Sequence, residues 1–544
     1  MHEITSKPPE AIDLENLMQV KGFDVIKEKY SDYLTDESKL TMGPFDFLLF
    51  PRDESELAGV VGEMAQKGVC MTVAGARTGL VGGCVPAGGA LISLEKLNHI
   101  LDLYYLESAD EWRLRAQTGA LLSDLNTMIT EKSFPDLEKS LVPGMQEKLN
   151  RFRKDPARYF YPPDPTEMGA SLGGTVATNA SGARTYHYGP TRDWVRGIRV
   201  LTMSGEFLDI PRGKYFSSAS GQFTVYDSRG GYFPIRIPDY TIPRTKSTSG
   251  FYASPHMDLL DLFIGSEGAL GIITSVDIAL LPWEPKCSIV QFVESDDMAL
   301  HLVQGLRSNK WLQLDFIEFY SENALNMLRD MQTEDRRRVG MPQIPESAGA
   351  AVFFELPFDP ELDKLDYEAL EETVTAAGAS LTESWAGYET RELARFKMFR
   401  HLLPEKVTQV ISERKKKHAG IHRLSSDLAV PDEHLFDIWN LYRERLGKAN
   451  IEWVGFGHAG NNHFHVSSMP RDMEELAKGI EIYTEFAEKA VSFGGTVSAE
   501  HGIGKIKAKY LKTMYSDDQI AQMQCIKKAF DPDLLLNPGN IFIN

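Results

Sequence analysis

Cysteine is scarce in this chain, and its few copies are widely spaced. The 544 residues include four cysteines, Cys70, Cys84, Cys287 and Cys525, with no C-x-x-C pair among them. Disulfide frameworks, zinc ribbons and iron–sulfur clusters all require paired or closely spaced cysteines. The sequence therefore argues against these three kinds of site, so any electrons that leave the protein would have to be collected by a partner.

The chain also lacks a long apolar run and an excess of positive charge. Nowhere do about 18 consecutive apolar residues occur, so we predict no transmembrane segment. The opening residues, MHEITSKPPEAIDLENL, contain acids and no apolar stretch, unlike a secretory signal or a transit peptide. Lys and Arg number 58 against 77 Asp and Glu, and the net charge of -19 would repel nucleic acids and anionic membranes. We expect a cytoplasmic protein that does not bind nucleic acid. Any association with the inner membrane would be through a partner protein.

The length predicts more than one domain. A chain of 544 residues is too long for one hydrophobic core. Apolar strands at FDFLLFP and MTVAG surround a helical pattern over Glu54–Gln66, and glycine-rich turns follow up to Pro285. Longer helical patterns, such as MEELAKGIEIYTEFAEKAV, come later. We therefore predict an N-terminal helical segment at 1–40, a first domain at 41–284 with a surface insertion at about 205–249, and a second domain at 285–544.

Three glycine-rich strings lie in the first domain. VAGARTGLVGG (73–83) follows a predicted strand and lets the backbone bring several N–H groups to one anion, such as a pyrophosphate. YPPDPTEMGASLGGTVATNASGAR (161–184) sets a rigid proline pair before small residues that allow a flat ligand to approach the backbone. LFIGSEGALGIIT (262–274) is predicted to be a strand, a tight turn around Glu267 and another strand. One such string could be a structural turn, but three in order favour one extended cofactor cleft.

A fourth glycine-rich string carries histidines. In GFGHAGNNHFHVSSMP, Gly455, Gly457 and Gly460 have the G-x-G-x-x-G spacing of a nicotinamide-dinucleotide site. That site requires a helix after its last glycine, whereas residues 461–466 alternate like a strand and Pro470 follows. We therefore reject the nicotinamide interpretation.

The histidines of this string indicate a metal site. His458, His463 and His465 are costly to bury unless they bind something, and His463 and His465 should lie on one strand face. A later turn, SAEHGIGK, contributes Glu500 as a candidate carboxylate ligand. The alternative is a set of structural histidines that only make hydrogen bonds, and we favour the divalent metal.

Together these motifs resemble those of a known family. Its members are the FAD-linked oxidases of the vanillyl-alcohol-oxidase fold, with a PCMH-type FAD-binding domain, in the branch of D-lactate, glycolate and D-2-hydroxyglutarate dehydrogenases. The resemblance runs from Phe45 to the end of the chain. It implies an α+β fold: an FAD-binding domain of two α+β subdomains, then a cap domain with an antiparallel sheet and helices, and a C-terminal segment that returns to the flavin.

The resemblance implies FAD as the cofactor. The attachment would be non-covalent, because the first glycine-rich string contains no histidine that could carry a covalent link. Arg77 stands where the family usually has glycine, and Ala74 where it often has arginine. The residues that the resemblance assigns to the cofactor are Gly75, Ala76, Arg77, Thr78, Gly79, Leu80, Gly82, Gly83, Pro162, Pro163, Asp164, Gly173, Gly174, Thr178, Asn179, Gly182, Glu267, Gly268, Ile272 and Asn537.

The resemblance also assigns the chemistry. His458, His465 and Glu500 take the positions of the family's metal ligands, for zinc in preference to manganese or iron. His501 takes the position of the catalytic base. Arg400 matches an arginine that contacts substrate, and a surface helix arginine is an equal alternative for it.

Further departures from the family pattern lie near the predicted metal and substrate sites. His463 replaces an asparagine and could be a fourth ligand, a substrate contact or a group behind the ligands. Asn462 replaces a glycine but can take the left-handed conformation that the turn needs. Ser425 replaces a lysine that contacts a distal carboxylate, which disfavours 2-hydroxyglutarate unless His422 or Arg423 substitutes. We keep His463 and Arg423 as candidate substrate contacts.

These residues predict an enzyme. The expected reaction is oxidation of a small D-2-hydroxy acid, of the D-lactate or glycolate type, to the 2-oxo acid, with a histidine taking the hydroxyl proton and the flavin the hydride. Electrons would then pass to an electron-transferring flavoprotein, an iron–sulfur subunit or a quinone, and a homodimer is compatible with the resemblance. Two alternatives stay open. One is a non-catalytic or differently specific flavoprotein subunit of an electron-transfer complex, and the other is a flavin-dependent, ether-lipid-forming transferase, although SAEHGIGK lacks its histidine run.

Overall fold

The first half of the protein begins with a small sheet. The structure, a computed structural model, describes residues 17–226, 232–334, 340–358 and 366–542. The first elements are β1 (Met18–Lys21), α1 (Phe23–Lys29), β2 (Phe47–Phe50), α2 (Glu54–Gln66), β3 (Met71–Ala74) and β4 (Ala90–Ser93). The sheet order is β1-β2-β4-β3, in which β2, β4 and β3 are parallel and β1 is antiparallel to β2. Helix α2 confirms the predicted helix; the side chain of its N-cap, Asp53, accepts from Glu56 N, and its apolar residues pack in the core of this sheet.

A second, antiparallel sheet completes the first half. Its elements are β5 (Ile100–Leu106), β6 (Glu111–Gln117), α3 (Leu122–Glu131), α4 (Pro135–Glu138), α5 (Met145–Lys154), β7 (Tyr159–Phe160), α6 (Leu172–Ala177), α7 (Thr185–Tyr188), β8 (Val195–Leu201), β9 (Phe207–Pro211), β10 (Gln222–Tyr226), β11 (Tyr232–Arg236), α8 (Leu259–Phe263) and β12 (Ile272–Pro282). The sheet order is β5-β6-β12-β8-β9 with β7 on β12, and β10 and β11 form a separate hairpin. The long strand β12 is central and almost entirely buried.

The second half is a cap built on a large antiparallel sheet. Its elements are β13 (Lys286–Val293), α9 (Asp296–Ser308), β14 (Phe316–Tyr320), α10 (Glu322–Glu334), β15 (Ala350–Pro357), α11 (Tyr367–Ala376), β16 (Ser384–Gly387), α12 (Thr390–Lys415), β17 (Leu424–Ser425), β18 (Leu428–Ala429), α13 (Leu435–Ala449), β19 (Trp453–His458), β20 (His463–Ser468), α14 (Met473–Ser492), α15 (Leu511–Met514) and α16 (Asp517–Phe530). The sheet order is β16-β13-β15-β14-β19-β20-β17, with β18 also on β20. The predicted α+β architecture of two subdomains and a cap is confirmed.

The C-terminal segment returns to the first sheet, as the resemblance implies. Met71 N donates to Leu535 O at 2.7 Å, and Asn537 N donates to Met71 O at 2.7 Å. The Asn537 side chain accepts from Val73 N at 2.8 Å. The chain end therefore continues the edge of β3, next to the first glycine-rich string. None of the helices in the described ranges combines the length and the apolarity that a membrane crossing needs.

Two predicted elements are wrong in part. Met18–Lys21 is a strand on the edge of the first sheet rather than helix, although Phe23–Lys29 is helical and residues 1–16 lie outside the described ranges. The strand predicted at the start of LFIGSEGALGIIT is the end of a helix, Leu259–Phe263, whose cap Asp258 accepts from Leu260 N. Its apolar residues are all buried, and a short run of that kind cannot be told from a strand by its pattern.

The prediction of a surface insertion at about 205–249 is wrong in part, because some of this segment belongs to the core of the first half. Phe207–Pro211 is the edge strand of the second sheet. Apolar residues that follow, such as Phe223, Ile235 and Tyr240, are buried in the same core as that sheet. Near the end of the segment, Lys246 forms an ion pair with a carboxylate of the cap. The domain boundaries at 40 and 284 stay predictions.

Candidate active site

One cavity is lined jointly by the first half and the cap. The glycine-rich string contributes residues 75–81, and α6 adds Gly173 and Gly174. The cap contributes Arg423, Ser425, Phe456, His465, Glu500 and His501. The predicted cofactor loops and several of the predicted chemical residues therefore share one space.

Gly75 packs closely against the serine that caps α6. A Cβ on Gly75 would lie 2.1 Å from Ser171 Oγ, so a side chain there would displace that hydroxyl. Arg77 holds a left-handed φ of 60° without being glycine. Its guanidinium lies 4.0 Å from the centroid of the Tyr33 ring and 3.9 Å from Glu95 Oε2. These contacts stabilise the Arg77 side chain at the position where the family usually has glycine.

Most of the predicted cofactor residues lie on the cavity wall. Those that line it are Gly75, Ala76, Arg77, Thr78, Gly79, Leu80, Gly83, Gly173, Gly174, Thr178, Glu267, Gly268, Ile272 and Asn537. Gly82, Pro162, Pro163, Asp164, Asn179 and Gly182 lie outside the lining. In this loop the cavity is lined by the residues after the proline pair, Pro165 to Glu167.

Glu267 connects the first half to the cap. Its buried carboxylate accepts from Ile503 N at 2.6 Å and from Gly504 N at 2.7 Å, both in the SAEHGIGK turn. Burial raises the pKa of this carboxyl group. Asn537 Nδ2 adds a hydrogen bond of 2.9 Å to Gly268 O. The turn that carries Glu500 and His501 is thereby held against the turn that follows α8.

Strand pairing brings the three histidines to one face of the cap sheet. In the β19–β20 pair, His458 is opposite His463 and Phe456 is opposite His465. Asn462 has a left-handed φ of 50°, and a strand rather than a helix follows the turn. The predicted strand face, the left-handed Asn462 and the rejection of a nicotinamide fingerprint agree with this geometry.

The histidine cluster consists of His458, His463, His465 and Glu500. One ligand atom from each of the four side chains lies within 4.8 Å of the other three. His458 Nε2 lies 3.5 Å from Glu500 Oε2, and His465 Nε2 lies 3.5 Å from Glu500 Oε1. His465 and Glu500 line the cavity, whereas His458 and His463 lie behind them. His463 is completely buried, so the structure does not place it in contact with the cavity.

Arg400 pairs with a buried acid rather than facing the cavity. Its Nε lies 3.1 Å from Glu318 Oε1, and its Nη1 lies 4.0 Å from Asp164 Oδ2. Glu318 Oε1 is also 3.2 Å from His458 Nδ1. Burial would raise the pKa of Glu318, but Arg400 and His458 outweigh it and lower that pKa to about 2. Arg400 is thus neither the surface arginine of the alternative nor part of the cavity lining.

Asp427 contacts both the predicted base, His501, and the turn that carries it. Its carboxylate is 3.4 Å from His501 Nδ1 and 3.0 Å from His463 Nε2, and it accepts from His501 N at 3.1 Å. Lys507 Nζ donates to the same carboxylate at 2.5 Å. Burial opposes ionisation, but His501 and Lys507 lower the pKa of Asp427 well below its usual range. A buried, ionised carboxylate therefore lies directly behind His501.

Comparisons of the sequence with known families identify the family. Residues 284–541 match the model of the C-terminal domain of FAD linked oxidases, and residues 45–141 and 147–211 match an FAD binding domain. The chain belongs to the FAD-linked oxidases. It is an oxidoreductase of that family, and the matched regions include the first two glycine-rich strings and the histidine cluster.

Relatives of this FAD-linked oxidase cover nearly its whole length. Glycolate oxidase subunit GlcD of Bacillus subtilis is 26% identical over 97% of this chain and 96% of its own. D-lactate dehydrogenase of Anaerostipes hadrus is 29% identical over 89% of this chain and 87% of its own. Mitochondrial D-2-hydroxyglutarate dehydrogenase of Danio rerio is 27% identical over 95% and 81%. Among solved structures, an alkyldihydroxyacetonephosphate synthase has a TM-score of 0.59 over 99% of this chain and 89% of that chain. Because the sequence identity is 14%, this similarity shows a shared fold alone.

Sequence reasoning missed three polar residues of this FAD-linked oxidase. For Glu318 and Asp427 the sequence held a signal. Each acid lies in an apolar stretch that is predicted to be buried, FIEFY or SSDLAVP, and a buried acid needs a partner. Lys246 had none. It lies in a serine- and threonine-rich loop of the first half, yet its Nζ is 2.5 Å from Glu500 Oε2 in the cap.

Proposed function

We propose that this FAD-linked oxidase is a dehydrogenase that oxidises a small D-2-hydroxy acid, of the D-lactate or glycolate type, to the 2-oxo acid. FAD would be bound without a covalent link, and His458, His465 and Glu500 would hold a divalent metal, zinc in preference to manganese or iron. Electrons would leave to a protein acceptor or a quinone. The observation that carries the proposal is that His465, Glu500 and His501 line the same cavity as the glycine-rich loops. The names of its relatives support the substrate class.

The cavity lining fits a flavin dinucleotide. Residues 75–81 line the cavity, and a glycine-rich backbone of this kind can bring several N–H groups to a pyrophosphate. Gly173, Gly174 and Ala177 leave room for a flat ring close to the backbone. The string at 73–83 contains no histidine, which supports non-covalent binding.

The histidine cluster fits a divalent metal. Zinc–ligand bonds of about 2.1 Å in a tetrahedral site separate the ligand atoms by about 3.4 Å. His465 Nε2 lies 3.5 Å from Glu500 Oε1, which is close to that value, and His458 Nε2 lies 3.5 Å from the other carboxylate oxygen, Oε2. Within the described ranges His458 Nε2 is buried and has no hydrogen bond, which is costly unless a ligand satisfies it.

The remaining chemistry belongs to the side chains of the chain itself. When bound, FAD would accept two electrons and the metal would polarise the substrate hydroxyl. Asp427, 3.4 Å from His501 Nδ1, favours the tautomer with its proton on that nitrogen and leaves Nε2 as the proton acceptor. His501 Nε2 is 3.4 Å from Glu500 Oε1, so the base lies beside a candidate ligand.

Arg423 supports the binding of an acid. It lines the cavity, and in the described part of the chain it has no acidic partner. Burial lowers the pKa of Arg423, so a substrate carboxylate would supply a counter-charge that the protein does not. Arg400, which the resemblance would assign to this role, already pairs with Glu318.

The role of His501 is tested by following the visible absorption of the flavin without oxygen. We expect a D-2-hydroxy acid to bleach the wild-type flavin, and His501→Ala to slow the bleaching by about 100-fold or more, the usual contribution of a general base. His99→Ala, at an exposed histidine outside the cavity, should behave like the wild type. An equal rate in His501→Ala would show that another group takes the proton.

A further inference from the structure

Lys246 brings a positive charge into the histidine cluster from the other half of the protein. Its side chain is only 4% exposed. Its Nζ lies 2.5 Å from Glu500 Oε2, 3.5 Å from His463 Nδ1 and 3.4 Å from Gly182 O. The three N–H bonds of the ammonium group thus each have an acceptor, and two of these acceptors belong to the cluster.

His463 presents a free nitrogen lone pair to the same place. The Asp427 carboxylate, 3.0 Å from His463 Nε2, favours the tautomer with the proton on Nε2. Nδ1 then carries the lone pair, and it lies 3.7 Å from Glu500 Oε2. Without Lys246, His463 Nδ1 would therefore be free to act as a fourth donor beside Glu500, in a cluster whose four residues each place one ligand atom within 4.8 Å of the others.

The number of protein ligands decides what such a site can do. Zinc sites with four protein ligands are structural, whereas catalytic sites have three protein ligands and keep a position for substrate or water. The cluster contains four donor residues, which would close the site if all four were bound. An open site therefore requires a feature that prevents one of the four donor residues from binding the metal.

We propose that Lys246 keeps the metal site open. By donating to Glu500 Oε2 and His463 Nδ1, Lys246 withholds both atoms and leaves His458, His465 and Glu500 Oε1 as the three protein ligands. Its charge also opposes a second cation nearby and so weakens metal binding. The inference rests on the metal site of the proposed function and assigns His463 to a position behind the open site.

The test measures metal affinity and coordination in the FAD-loaded protein. In Lys246→Met, His463 is released, and we expect Zn²⁺ to bind on the order of tenfold tighter or more in competition with a chromogenic chelator, the usual scale for groups that orient ligands. The visible spectrum of Co²⁺ should become more intense, as in closed tetrahedral sites, and flavin reduction by hydroxy acid should slow. Adding His463→Asn to Lys246→Met should remove the part of the tightening that His463 contributes and restore the wild-type spectrum.

A matched control separates the contact from its charge. Arg244 lies two residues away on an exposed part of the same loop, and Arg244→Gln removes one positive charge without changing the contact with Glu500. We expect its Zn²⁺ affinity to match the wild type. Lys246→Ala, which also removes the donor, replaces Lys246→Met if the latter does not fold, and it should show the same direction of change.

Several outcomes would overturn the inference. Unchanged or weaker Zn²⁺ binding in both Lys246 variants would contradict it, and so would equal tightening in Arg244→Gln. An unchanged affinity after His463→Asn is added to Lys246→Met would remove His463 from the explanation. If no protein bound Zn²⁺ or Co²⁺, both this inference and the proposed metal would fail, whereas reduction of the flavin by a hydroxy acid would still support the dehydrogenase.

Discussion

At the residue scale, the site depends on carboxylates that never touch the cavity. Asp427 and Glu318 each lie next to a ring nitrogen of a histidine, on the side away from Glu500. Such partners orient histidines and select their tautomers. Their own charge is maintained by His501 and Lys507 at Asp427 and by Arg400 and His458 at Glu318, which hold both pKa values low despite burial.

Asp427→Asn tests this arrangement. The change removes the charge behind His501 and His463, and we expect flavin reduction to slow by about 10- to 100-fold while FAD stays bound. Rapid-mixing absorption measurements give both quantities. Asp437→Asn is the matched control, because Asp437 is an exposed acid that pairs with a histidine on the surface of the cap. A wild-type rate in Asp427→Asn would show that the acid has no part in the reaction.

At the scale of elements, the C-terminal helix and the segment after it close the cofactor side of the molecule. Lys527 near the end of α16 is buried and donates to Ala269 O and Leu536 O, each at 2.8 Å, and to Asp531 at 2.6 Å. It therefore joins the turn after α8, the helix end and the segment that pairs with β3. Those contacts hold Asn537 on the cavity wall.

Lys527→Met should destabilise this junction. Asp531 would be left buried without its counter-charge, which costs about 3 kcal/mol or more. We expect a lower melting temperature and weaker retention of FAD, both followed by flavin fluorescence. Lys528→Met alters the exposed neighbour and should change neither. Equal losses in the two variants would mean that the buried ion pair does not hold the segment.

Short sequence patterns predicted the parts of the site that depend on residues close together in the chain. The two-residue period placed His463 and His465 on one face, and the glycine-rich strings marked most of the cavity wall. The helix at Leu259–Phe263 was missed because a short buried apolar run has no distinctive period. Lys246 could not be predicted, because its contact with Glu500 joins residues 254 positions apart that only the packing of the two halves brings together.

At the scale of the whole molecule, the site exists only where the two halves meet. Glu267 holds the turn of the candidate base, Lys246 reaches Glu500, and the C-terminal segment returns from the cap to the first sheet. The cofactor loops come from the first half, and the proposed metal ligands and base come from the cap. Catalysis by this FAD-linked oxidase would thus require the two halves to be correctly positioned against each other.

The most direct test of the proposed function is flavin reduction by a panel of D- and L-2-hydroxy acids under anaerobic conditions. It compares the wild type before and after metal removal, after Zn²⁺ or Mn²⁺ is restored, and with His458→Ala. We expect a small D-2-hydroxy acid to bleach the wild-type flavin, and metal removal or His458→Ala to abolish the bleaching while FAD remains bound. Restored metal should recover it in the wild type alone. A flavin that no hydroxy acid bleaches, or one that is bleached equally well without metal and in His458→Ala, would contradict the account.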